Sequence, residues 1–176
     1  MKIILFANKN IGLQLSEYLF QKFTDDNYIL YTKKNNLEII YLCKKYNIKH
    51  KIINKLNIKN LKKNNIKSHD WLINLWSDYI FEEELISIFK KTINIHPSYL
   101  PYCKGSDPIV WTLINEFQAG VTLHSINTKI DSGNIYCQKK IKTSFPIKGS
   151  DLYSCIANES ISFFKQNWIK IRNGKL

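Results

Sequence analysis

Arginine is all but missing from this chain. Arg172 is the one arginine, although Lys and Arg together number 26 against 14 acidic residues, a formal net charge of +12. Site-specific readers of phosphate use the planar guanidinium fork as well as lysine. The lysines fall in short clusters, among them 33–34, 44–45, 62–63 and 139–140, and the others are spread along the chain. We read this excess as composition, in a chain rich in Lys, Asn and Ile together. A polyanionic partner such as RNA is the competing reading of the charge. Under either reading the excess attracts a phosphorylated small molecule.

Long apolar runs are missing too, and none approaches the length that spans a bilayer. The opening "MKIILFANKN" has a lysine before an apolar run, as export signals do. Its apolar part is too short, and no small-residue cleavage site follows. The expectation is a cytoplasmic protein with no membrane partner. Cys43, Cys103, Cys137 and Cys155 form no CxxC pair and no zinc spacing. Without an export signal they are expected as reduced thiols. Cys103 has only Lys104 beside it to lower its pKa, so it has little support as a nucleophile. No internal repeat or low-complexity linker breaks the chain.

What is present is globular. The 176 residues, 44% hydrophobic and 13% aromatic, suit one domain over 1–176 with no accessory domain after it. "KIILFA" (Lys2–Ala7), "NYILYT" (Asn27–Thr32), "IKHKII" (48–53), "WLINLW" (71–76) and "TINIH" (92–96) read as strands. Helical patterns lie between them in "NIGLQLSEYLFQKF", "NNLEIIYLCKKYN" and the amphipathic "FEEELISIFKK". "NKLNIKNLKKNNIKSH" is a weak helix or a loop. "DPIVWTLINEF" is a helix with Asp107 as N-cap and Pro108 at its first position. After Gly120, "VTLHSIN" and "NIYCQKKI" alternate with no helix between them, and the tail from residue 150 reads as one closing helix. Strands alternating with helices predict an α/β fold with a mostly parallel, twisted sheet, helices on both faces and an antiparallel C-terminal part. Ligands in open sheets of this kind bind at the carboxyl ends of strands. The end of "TINIH" and the loop from Ser77 are such places.

Side chains alternate along a strand, so Asn94 and His96 share one face and Ile93 and Ile95 the other. An amide and an imidazole then stand together before a Pro-rich turn. A histidine satisfied in a buried corner would have the same spacing. Downstream, Asp131 and Gly133 mark a turn, where Asp is an ordinary turn residue or a carboxylate that orients His96. Three chemistries compete for these residues. A Ser98–His96–Asp131 hydrolase lacks a nucleophile elbow. A His96–His124–Asp131 metal site lacks any supporting spacing, and His124 reads as packed inside an apolar strand. Acyl transfer to an amine would take Asn94 as oxyanion donor, His96 as proton acceptor or relay and Asp131 as its tuning carboxylate.

"NIHPSYLPYCKGSDPIVWTLI" followed by "GVTLHSINTKIDSGNIYCQKKI" resembles the formyltransferases that use 10-formyltetrahydrofolate. The matching residues are Asn94, His96, Pro97, Ser98, Leu100, Pro101, Lys104, Gly105, Gly120, Val121, Thr122, Asp131, Ser132 and Gly133. A fainter likeness covers nearly the whole chain, including "WLINLWSDYIFEEEL". The resemblance implies a Rossmann-like formyltransferase fold, a catalytic triad of Asn94, His96 and Asp131, and no metal. It implies 10-formyltetrahydrofolate as formyl donor, held mainly through backbone at Ser77, Asp78, Tyr79, Ile80, Ile126 and Asn127. The acceptor would meet Ser98, Lys104 and Gly105. Enzymes acting on glycinamide ribonucleotide are similar in a Gly-rich phosphate loop after the first strand. Here that loop is "ANKNIG", with Gly12 alone. Methionyl-tRNA formyltransferases carry a second domain for which the chain has no room. The acceptor expected is therefore a nucleotide-linked amino sugar of cell-surface glycan (lipopolysaccharide) synthesis. Nucleic acid is not expected as a partner, and a homodimer is one option for the assembly. A formyl-folate hydrolase and a non-catalytic folate- or RNA-binding module stand as the other classes.

Overall fold

A computed structural model describes residues 1–54 and 69–176. The segment read as a weak helix or loop lies almost wholly outside the described residues. The described elements are β1 (Lys2–Ala7), α1 (Lys9–Lys22), β2 (Asn27–Thr32), α2 (Leu37–Lys45), β3 (Lys49–Ile52) and β4 (His69–Leu75). They continue with α3 (Glu83–Ile86), β5 (Phe89–His96), α4 (Pro108–Ile114), β6 (Gly120–His124), β7 (Ile135–Lys140) and α5 (Gly149–Arg172). The strand order is β3-β2-β1-β4-β5-β6-β7. The pairs β3–β2, β2–β1, β1–β4 and β4–β5 are parallel and β6–β7 is antiparallel. This is the mixed, mostly parallel sheet that the alternating pattern predicts. By contacts the chain forms two compact units, Met1–Asn94 with Ile126–Thr128, and Ile95–Ser125 with Lys129–Leu176.

In the first unit, β1 lies between β2 and β4, and its residues from Ile3 to Ala7 are fully buried. A strand covered on both faces has to be apolar throughout rather than alternating, which is why "IILFA" gave a clear signal. Phe6 anchors an aromatic cluster. Its ring stacks on Tyr31 at 5.1 Å and meets Phe81 and Tyr79 edge-on at 4.9 and 5.5 Å. Offset and edge-to-face pairs of this kind add about 0.5–1.5 kcal/mol each beyond area burial. The stretch "FEEELISIFKK" departs from expectation. Only Glu83–Ile86 is helical, and strand β5 already begins at Phe89. Phe89 pairs with His69 and Lys91 with Trp71, so pairing with β4 overrides the local helical periodicity.

In the second unit, α5 carries a buried stripe of Leu152, Ile156, Phe163, Phe164, Trp168 and Ile171, the spacing of one helical face. Asp151 in its first turn and Lys170 and Arg172 in its last complement the helix dipole. Helix α4 starts at Pro108 as expected. Asp107, however, makes no capping hydrogen bond through its side chain and has φ 53°. A capping side chain needs an extended backbone at that position, and a left-handed one does not supply it.

Candidate active site

In the first unit the site is built on the register of two parallel strands. Asn74 on β4 stands opposite Asn94 on β5, and neighbours in register project to the same side. The Asn74 Nδ2 group donates to Asn94 Oδ1 at 2.9 Å and to the Ser77 carbonyl at 3.2 Å. Asn74 Oδ1 accepts the Ser77 amide at 3.2 Å and the Ser77 hydroxyl. Accepting at Oδ1 fixes which way the Asn94 carboxamide faces, and makes its Nδ2 the donating end. Two residues earlier on the same face, Thr92 Oγ1 accepts the Ile126 amide at 2.8 Å and donates to the Ile126 carbonyl at 3.2 Å. Ser77 and Ile126, far apart in sequence, are thus both tied to side chains of the β4–β5 pair. Asp78 accepts from Asn8 Nδ2 at 3.1 Å and pairs with Lys33 at 2.5 Å. Tyr79 is buried, with its hydroxyl on the Ile53 carbonyl at 2.6 Å. Ile80 and Asn127 are exposed.

The first loop is filled by side chains. Asn8 is 5% exposed and its Oδ1 accepts Asn36 Nδ2 at 2.8 Å, while Asn36 Oδ1 accepts the Lys9 amide. The Asp78 carboxylate stands beside them. Burial by itself would raise its pKa, but the Lys33 ammonium and neighbouring donors hold it below the usual carboxylate value. The carboxylate is thus ionised and matched by the Lys33 ammonium.

In the second unit His96 is buried and held from both sides. Its Nε2 lies 2.9 Å from the Cys103 carbonyl and its Nδ1 lies 3.4 Å from Asp131 Oδ2. A carbonyl only accepts, so Nε2 carries a hydrogen. Asp131 also takes the Gly105 amide on Oδ2 at 2.9 Å, and its Oδ1 lies 3.5 Å from His124 Nε2. His124 Nδ1 is 2.7 Å from the Ser125 carbonyl. Each imidazole therefore sits between a backbone carbonyl and one oxygen of the same carboxylate. Desolvation lowers the pKa of His96, an effect that Asp131 and the Cys103 carbonyl only partly oppose. For Asp131, burial works upward, but His124, His96 and the Gly105 amide together hold it below the ordinary carboxylate value. Both Cys103 and Asp131 have left-handed backbones, at φ 54° and 45°. Such residues cost free energy and concentrate at functional sites.

The loop returns Asp131 to this position through Gly133. A Cβ on Gly133 would lie 1.8 Å from the Ser125 carbonyl oxygen, so only glycine fits. The Ser125 amide then bonds the Asn134 carbonyl at 2.8 Å. Lys104 Nζ reaches Ser132 Oγ at 3.0 Å. Ser98, expected at the acceptor, is instead fully buried, with its hydroxyl on the Tyr102 carbonyl at 2.7 Å. That bond also removes it as a nucleophile for His96. Cys103 contributes its carbonyl to His96, while its Sγ receives the Thr112 hydroxyl at 3.5 Å. His96, His124 and Asp131 do come together, but the carboxylate stands between the rings. Among the described residues no group of three is arranged to hold a metal ion.

Comparison with known proteins adds a likeness over the same stretch of chain. Residues 76–160 match the formyl transferase family. Over that span, just under half of the chain, the sequence is similar to the formyl transferase family. A bifunctional polymyxin resistance protein ArnA from Wigglesworthia glossinidia brevipalpis is 33% identical over all of this chain and 28% of its own length. A methionyl-tRNA formyltransferase from Borrelia garinii is 35% identical over 55% of this chain and 31% of its own. The chain thus spans about a third of the length of these curated relatives. The solved formyltransferase PseJ from Anoxybacillus kamchatkensis, in complex with UDP-4,6-dideoxy-4-formamido-L-AltNAc and tetrahydrofolate, is 25% identical. It superimposes with a TM-score of 0.70 over 99% of this chain and 78% of its own. Every residue expected at the site falls inside the matched span. Two partners within this arrangement escaped the sequence. Asn74 lay unmarked in the apolar run "WLINLW", where an amide among buried residues was the available signal. His124 was read as packing.

Proposed function

We propose that this formyl transferase moves a formyl group from 10-formyltetrahydrofolate to the amino group of a nucleotide-linked amino sugar. The observation that carries the chemistry is the fixing of two polar side chains on alternate positions of β5. Asn94 has its oxygen tied to Asn74, and His96 is held against Asp131. With its oxygen engaged, Asn94 turns an amide donor toward the reacting carbonyl. Such a donor on a developing oxyanion contributes about 3–4 kcal/mol. His96 stabilises the same charge or relays the proton leaving the amine, after its Nε2 leaves the Cys103 carbonyl. Asp131 orients the ring and stabilises its charged form. Residues 77–80 and Ile126 would hold the folate. Asn74 fixes Ser77, Thr92 fixes Ile126, the buried Tyr79 pins the middle, and Ile80 is left as exposed apolar surface for a ring system.

The acceptor assignment is supported by the PseJ and ArnA likenesses. Methionyl-tRNA is the second reading, favoured by the net charge of +12 and by the Borrelia relative. The deciding assay follows cofactor absorbance and acceptor mass with 10-formyltetrahydrofolate. Its panel holds nucleotide-linked 3- and 4-amino sugars, glycinamide ribonucleotide, charged initiator tRNA and no acceptor. A formyl mass gain on an amino sugar is the expected result. Gain on tRNA selects the second reading, and turnover without acceptor makes the protein a hydrolase. No turnover in any arm refutes formyl transfer.

A further inference from the structure

We propose that His124 is a positioning residue of the same site, which clamps the second oxygen of Asp131 and thereby sets how His96 takes up a proton. The proposal rests on the formyl-transfer reading for its kinetic arm only. Three independent observations carry it. The first is the division of one carboxylate between two rings, His96 Nδ1 on Oδ2 at 3.4 Å and His124 Nε2 on Oδ1 at 3.5 Å, with ring centroids 6.2 Å apart and planes at 75°. The second is burial. His124 is 2% exposed and His96 4%, so water does not screen one ring from the other and neither charge is dispersed cheaply. The third is a register shift between Leu123 and His124, where Leu123 pairs with Cys137 and His124 with Ile135. The residue passed over is Tyr136 on β7, so the ladder is interrupted directly beside His124, at the end of β6 that leads into the turn carrying Asp131.

The hydrogen bonding then becomes a counting problem. Two carbonyls, of Cys103 and Ser125, require hydrogens on His96 Nε2 and His124 Nδ1. The remaining two nitrogens both face carboxylate oxygens. Full satisfaction of both would need two imidazolium ions on one carboxylate, an excess of positive charge in a buried place. The two rings therefore compete for the charge of Asp131, and a proton gained by one raises the cost of a proton on the other. Among the described residues, ionisable side chains on the adjoining segments include the Cys103 thiol and the Lys104 ammonium on the loop after β5, and Tyr136 and Cys137 on β7. Burial pushes the Cys137 thiol up to about 11 and raises the Tyr136 phenol, so both stay neutral through the range where imidazoles titrate.

The test uses the whole chain with ¹⁵N-labelled histidine and the variants His124→Gln, His124→Leu and Asp131→Asn. Gln keeps a neutral donor for Asp131 but does not titrate, and Leu keeps neither. Titrated by NMR, wild-type protein is expected to show each ring responding to the protonation of the other. In His124→Gln and His124→Leu, His96 should titrate at higher pH than in wild type, because a competing cation has gone. The acid limb of kcat should move to higher pH in parallel. His124→Leu should lower kcat about 10-fold, short of the 10²–10⁴ that loss of an acid–base group costs, with KM much less affected, and His124→Gln should recover most of the kcat. Independent titration of the two rings in wild type overturns the proposal, since that measurement needs neither a folded variant nor any substrate. So does a kcat that falls equally at every pH in His124→Leu with no change at His96, which is the mark of a packing role alone. If no acceptor is formylated, the NMR titration still decides the coupling.

Discussion

Asn74→Leu isolates the amide that holds Asn94. Leucine keeps the volume and removes both polar ends, so Asn94 Oδ1 loses its donor at 2.9 Å and the Ser77 amide its acceptor at 3.2 Å. A buried polar group left unmatched costs about 1–3 kcal/mol. Asn94 and Ser77 are half-buried, so water relieves part of this, and the two together come to about 2 kcal/mol. At 2–4 °C per kcal/mol for a chain of this size, the melting midpoint should fall by about 6 °C. Complete loss of an oxyanion donor costs about 10²–10³ in kcat. An Asn94 that is present but free to turn should lose part of that, about 10-fold to 100-fold. Asn74→Asp reverses the polarity at Asn94. It still accepts the Ser77 amide, but its second oxygen faces Asn94 Oδ1 and the Ser77 carbonyl, and drives the Asn94 carboxamide to turn over, presenting oxygen where a donor is needed. Its melting midpoint should fall too, because a carboxylate is buried without that donor, and kcat should fall at least as far as in the leucine variant. The measurements are thermal denaturation by circular dichroism and steady-state turnover. A leucine variant that melts within a degree of wild type and keeps its turnover would refute the role given to Asn74.

Three further outcomes are expected. His96→Ala should abolish turnover while folate affinity, read by fluorescence quenching, changes little; wild-type-like turnover would remove His96 from the mechanism. Gly133→Ala must displace the Ser125 carbonyl, because its Cβ would come within 1.8 Å, so both the melting midpoint and kcat should drop, and a variant matching wild type in both would show that Gly133 does not set the position of Asp131. The lowered pKa values of Asp131 and His96 act in the same direction. Below the unfolded imidazole value of about 6.5 the unfolded chain binds the proton that buried His96 resists, and below about 3.9 it binds the one that Asp131 resists, so stability should fall as the medium becomes acidic. Asp131→Asn should flatten the more acidic part of that decline, and denaturation curves of equal slope in the two proteins would contradict the assignment.

The order of strands and most helices could be read from the sequence because their signals are local. "KIILFA" and "NYILYT" are apolar runs that a buried parallel sheet requires, and the tail carries a helical stripe from Leu152 to Ile171. The error at "FEEELISIFKK" arose where a long-range pairing, Phe89 with His69, outweighed a local period. The site divides in the same way. Asn94 and His96 were found because two residues on one strand must share a face. Asn74 was missed because its value comes from the register between two strands, which no single stretch of sequence contains. His124 stands in the sequence as a metal candidate or a packed residue, because spacing alone does not show that its ring meets the second oxygen of Asp131.

Strand β5 shows why so few residues suffice to place so many segments. Its residues 92 to 96 read Thr, Ile, Asn, Ile, His, with both isoleucines buried. The apolar face fixes the strand against slippage, because a shift of one residue would drive Thr92, Asn94 and His96 into the core. With the register fixed, the three polar side chains have no freedom to choose partners. Thr92 takes Ile126, Asn94 takes Asn74, and His96 takes Cys103 and Asp131. The bonds of Thr92 and His96 hold separate loops, and that of Asn94 runs through Asn74 on β4 to Ser77, so the chemistry depends on anchor points set by a single alternating strand. Substitution of Ile93 by a polar residue should therefore disturb all three anchors at once. It should damage turnover more than its loss of apolar burial predicts, whereas a purely proportional loss of stability and activity would mean that the anchors are held independently of the strand.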